Sequence, residues 1–111
     1  MMNLAPADRT IAITVALAEL GLRPDDQVLI MLADGVDFVE AFVGVTRWGA
    51  VPLSVNPGLA TANVAAIAAQ TGARLVLTST KRLPQLATLN AEPPVLVNGL
   101  QNLWAIALHP R

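Results

Sequence analysis

The sequence has no cysteine, no tyrosine, a single histidine and a single lysine. Without thiols, disulfides, zinc-thiolate sites, iron-sulfur clusters and a thiolate nucleophile are excluded. Charge is scarce as well: 14% of the 111 residues are charged, 7 basic and 8 acidic, scattered without runs to a formal net charge of -1. That balance creates no field able to hold a phosphate backbone or an anionic membrane, so nucleic acid is not an expected ligand. Gly44, Gly49 and Gly58 make no G-x-G-x-x-G fingerprint after a strand, and neither G-x-x-x-x-G-K-[ST] nor a G-x-S-x-G elbow occurs. A phosphate cradle and serine hydrolase chemistry are therefore unsupported.

What the chain has in quantity is apolar side chains, 54% of its residues. A length of 111 residues bounds it to one domain with one main core. So apolar a composition excludes disorder, and it leaves too little charge to solvate a free-standing surface, which implies apolar surface that meets a partner. The first ten residues include Asp8 and Arg9 and lack the build of a secretory signal, which fits a cytoplasmic protein. No charge occurs between Arg47 and Arg74, but Pro52, Asn56, Pro57, Gly58, Asn63 and Gln70 interrupt the stretch. It reads as strand, turn and helix, with no membrane span.

Asp8 is placed to cap a helix over residues 9–20, with two apolar stripes, Ile11/Val15/Ala18 and Ile13/Leu17/Leu20, and Gly21 at its end. After the turn Arg23-Pro24-Asp25-Asp26, residues 27–33 form a near-continuous apolar run, the mark of a strand covered on both faces. Asp34 and Gly35 connect to a helix with Phe38, Phe42 and Val45 on one face and Asp37, Glu40 and Arg47 on another, closed by Gly49. Residues 50–55 give a second strand and Asn56-Pro57-Gly58 a turn. Thr61 is expected to cap a helix through Gln70 carrying Val64, Ile67, Ala68 and Thr71, with Gly72 behind it. Residues 74–78 repeat the strand signal, Thr80 begins a helix with Leu83, Leu86 and Leu89, and residues 95–97 offer a fourth strand. Pro84 suits that helix only in its first turn.

Strands and helices alternating at short connections imply an α/β fold, a three-layer parallel sheet with helices on both faces. The unit is expected over residues 1–99, with a β-α-β-α-β core at 21–79. Residues 100–111 are apolar without a clear period, a tail readable as an edge strand, a docking segment or a truncation scar.

Asp34, Asp37 and Glu40 are the one carboxylate cluster, near the end of the first strand, where open α/β sheets often bind ligands. A metal or general base would use them, but with no neighbouring histidine the structural reading is favoured. In it Asp34 caps the helix and Asp37 complements its dipole, worth about 0.5–2 and 0.3–1 kcal/mol. His109 stands alone in the tail. Trp48, at the end of an apolar helix, is better suited to packing than to stacking on a ligand. Ser54, Thr78, Ser79 and Thr80 have no base beside them. Catalytic, cofactor-binding and metal-binding residues are thus all read as none.

One ordered string rises above these generic features: Gly21-Leu22-Arg23-Pro24-Asp25-Asp26-Gln27-Val28, Phe38-Val39 with Ala41-Phe42, Gly49-Ala50-Val51-Pro52, Val55-Asn56-Pro57 and Gly72-Ala73-Arg74-Leu75-Val76-Leu77-Thr78. It resembles the adenylate-forming acyl-CoA synthetase superfamily, which includes fatty acid AMP ligases. There the stretch reads approximately L-G-[VI]-x-x-G-D-x-V, E-F-x-x-A-F-x-G, G-A-V-x-x-x-[VI]-N-P and S-G-A-x-x-x-[VI]-T. Spacing agrees across residues 15–78, with departures at Asp25 for a turn glycine, Asp37 for glutamate, and Asn63 and Gln70 for acidic residues.

The resemblance implies a flavodoxin-like subdomain in the N-terminal domain of an ATP-dependent ligase that makes an acyl-adenylate and then usually an acyl-CoA. Such an enzyme uses ATP, Mg2+ and coenzyme A. The family's phosphate loop, adenine motif, ribose-binding aspartate and catalytic lysine have no counterpart here. Lys81 lies outside any such motif, and Ile67 stands where some relatives place an arginine that meets coenzyme A. The chain alone is thus expected to bind none of these cofactors and to be catalytically incomplete. Its expected partner is the remainder of a ligase, in the same or a separate chain, or a second copy through apolar surface around residues 11–22 and 100–108.

Overall fold

The computed structural model describes residues 5–89, 94–97 and 102–108. In chain order these form α1 (Ala5–Glu19), β1 (Gln27–Met31), α2 (Val36–Trp48), β2 (Val51–Ser54), α3 (Thr61–Thr71), β3 (Leu75–Ser79), a 3-10 helix (Leu83–Leu89), β4 (Val95–Leu96) and β5 (Leu103–Ala107). The strands build one five-stranded sheet in the order β2-β1-β3-β5-β4.

The β2-β1-β3 half is parallel, as expected. The other half is not: β5 runs antiparallel to β3, and β4 antiparallel to β5. The link from β4 to β5 is too short for a crossover, so the pair must close as a hairpin. The described stretch 102–108 of the tail expected over 100–111 is therefore no appendage. It supplies an inner strand, while β4, expected as a fourth parallel strand, lies at the sheet edge. Leu103 and Ala105 join one core layer and Ile106 the other. Apolar on both sides, β5 has none of the alternation that would announce it.

Alternation sorts the central strands into those two layers. Val28, Ile30 and Leu32 of β1 and its exit, with Leu75 and Leu77 of β3, pack against Ile13 and Leu17 of α1 and Ala41 and Val45 of α2. Leu29, Met31 and Val76 face the opposite way onto Val64 of α3 and Leu86 of the 3-10 helix. The chain crosses from β1 to β2 in one direction and from β2 to β3 in the other, so right-handed crossovers put α2 and α3 on opposite faces. Burying a residue such as Leu29 or Ile30 contributes about 1.5–3 kcal/mol.

The local signals resolve unevenly. Gly49 and Gly72 end their helices in the left-handed region, φ 98° and 70°, each returning its N–H to a carbonyl of the last turn. Pro84 falls in the first turn of the 3-10 helix. The expected side-chain caps do not form. α1 begins upstream of Asp8, Gly35 rather than Asp34 precedes α2, and Ala60 precedes α3. The Thr61 hydroxyl instead donates to the Gln85 carbonyl, tying α3 to the 3-10 helix. Only one α1 stripe is buried: Ile13 and Leu17 lie inside, Ile11 and Val15 outside.

The turn before β1 is a type II turn, with Pro24 at its second position and the Asp26 N–H donating to the Arg23 carbonyl at 3.0 Å. Its third residue, Asp25, has φ 73°. Asp25 thus adopts the conformation for which the family pattern carries glycine. The Asp26 carboxylate accepts the Arg23 N–H at 2.8 Å, and its carbonyl accepts the Val51 N–H at 2.8 Å, so one turn joins the starts of β1 and β2.

At the outer edge, the N–H groups of Val51 and Val55 point inward to Asp26 and Ile30 carbonyls. Alternation then turns Pro52 and Ser54 outward, and Pro52 has no N–H to offer.

Two substitutions of opposite sense test this packing by urea denaturation. A Cβ at Gly44 would lie 2.7 Å and 2.8 Å from Ile13 side-chain atoms and 3.3 Å from the Thr10 carbonyl. Gly44→Ala should therefore destabilise the chain by about 1–2 kcal/mol, the overpacking cost exceeding the helix-propensity gain. Asp25→Gly should stabilise it by about 0.5–1 kcal/mol, since relief of the left-handed backbone outweighs the added freedom of the unfolded chain.

Candidate functional site

The order β2-β1-β3 places a topological switch between β1 and β3, because the chain leaves β1 toward one side and later passes to the other. Open α/β sheets form a crevice at such a point, outside the carboxyl ends of the strands. Here it is a shallow cleft of about 350 Å³, lined by residues 32–37 after β1, by Ser79 and Lys81 after β3, and by Asn102 before β5.

The cleft collects some of the expected residues and separates others. Asp34 and Asp37 line it. Glu40 does not, being buried at 8% exposure within α2. The polar face expected along α2 is thus broken, and Phe42, expected inward, is 41% exposed. Thr78 is buried, its hydroxyl donating to the Met31 carbonyl. The Thr80 hydroxyl accepts the Trp104 indole N–H at 2.8 Å. Ser54 is exposed on β2, and Ile67 packs in the α3 core layer. Trp48 packs against the α1–α2 core layer, its indole N–H buried with no acceptor among the described residues. His109 lies outside the described residues.

Asn102 and Trp104 are the residues that sequence reasoning missed. Asn102 accepts the Thr80 N–H at its side-chain oxygen, 2.9 Å, and its amide makes a long contact of 3.4 Å to Asp37. Together they staple the chain after β3 to the start of β5. A pattern of apolar residues cannot reveal such a staple, whose partners lie more than twenty positions apart.

Chemically the cleft is mixed, with Leu32, Ala33 and Val36 beside Asp34, Asp37, Lys81 and Asn102. Among the described residues Lys81 is its one cationic lining residue, beside Asp34 and Asp37, so these offer no excess positive charge to a triphosphate. Among the described residues no group of three His, Asp or Glu side chains is placed to hold a metal ion. The residues present therefore do not fit ATP or Mg2+, and no step through either group is assigned to them.

Residues 7–105 match the family described as AMP-binding enzyme, and the chain belongs to that family. It is 34% identical over 77 residues to benzoate–CoA ligase from Thauera aromatica, covering 69% of this chain and 15% of that ligase. It is 42% identical over 80 residues to 4-coumarate–CoA ligase-like 3 from Oryza sativa subsp. japonica, covering 69% and 13%. Among solved structures, a benzoate CoA ligase from Burkholderia xenovorans superposes with a TM-score of 0.67 at 28% identity, over 72% of this chain and 16% of that one. The match falls in the N-terminal part of these ligases and spans about 15% of their length.

Removing the staple should be measurable. Asn102→Ala leaves the Thr80 N–H with only the Asn102 carbonyl and should lower stability by about 0.5–1.5 kcal/mol, read as a reduced urea midpoint. An unchanged midpoint would show that the long tie between β3 and β5 contributes nothing.

Proposed function

We propose that this chain is the N-terminal scaffold segment of an ATP-dependent ligase that converts a carboxylate to its acyl-adenylate and then to an acyl-CoA. The observation that carries this reading is the family match over residues 7–105 on a segment that spans about 15% of its relatives. The relatives' names support acyl or aryl carboxylates as the substrate class. ATP, Mg2+ and coenzyme A are then cofactors of the assembled enzyme in the cytoplasm, held by residues beyond this segment. What the segment contributes is the β2-β1-β3 half-sheet and the cleft at its carboxyl end. Its partner is the remainder of the ligase, joined in the same chain or supplied by another.

Pyrophosphate exchange tests the division of labour. The 111-residue chain with ATP, Mg2+ and a panel of benzoate, 4-coumarate and fatty acids should exchange no label above a protein-free blank. Carboxylate-dependent exchange by this chain alone would overturn the reading.

A further inference from the structure

We draw no further inference here: the strongest candidate, the N-terminus of α2 that opens beside Asp34, Asp37 and Lys81 onto the cleft at the carboxyl ends of β1 and β3, belongs to the site already described, and neither of the buried unpartnered side-chain nitrogens among the described residues, on Trp48 and Arg74, lines that cleft to define a ligand.

Discussion

The contact on which the molecule depends is the one between Ile13 of α1 and the bare backbone of Gly44 on α2. A Cβ at position 44 has no room, so the two helices meet at a distance that only glycine permits. That distance lets Ile13 and Leu17 reach down beside Ala41 and Val45 onto the even-numbered residues of β1. Were the helices held apart, the layer over the central strands would be spaced by a methyl group and its core would lose contact along the seam. The same approach decides what is left outside, because fixing the inner sides of both helices fixes the outer ones.

β1 is the second organising element. It pairs with β2 and β3, starts at the turn that binds Arg23 and Val51 through Asp26, and ends at the cleft. It is short, four apolar residues after Gln27, so its weight comes from position. A strand in the middle of a parallel sheet receives a layer from each side, and its two ends become the floor of whatever lies at the sheet's margins. The cleft is accordingly a product of topology, and its lining follows from which loops leave β1 and β3.

Much of this was legible in the residues and some was not. The three parallel strands and the helices between them announce themselves through apolar runs, glycine stops and proline placement, which are local signals. The antiparallel half does not, because Leu103 to Ala107 is apolar on both sides and β4 has only two residues. Asp8, Asp34 and Thr61 are good capping types, yet none stands at a helix cap: α1 begins upstream of Asp8, Gly35 precedes α2 and Ala60 precedes α3. The polar face expected on α2 failed because Glu40 lies inside and valines lie outside. The cleft's carboxylates were found through their nearness to a strand end. Its Asn102–Thr80 tie joins distant segments and has no local signature.

Pro52 has one further consequence. A parallel half-sheet that ends in a short, exposed strand would ordinarily be a seed for cross-β growth, with each new chain adding another rung to the ladder. With Pro52 in place of an outward donor, a newcomer strand finds a gap in the ladder at its second step. The β2 edge is therefore terminated rather than templating. One missing hydrogen atom on the Pro52 nitrogen thus guards the outer margin of the parallel half against fibre growth.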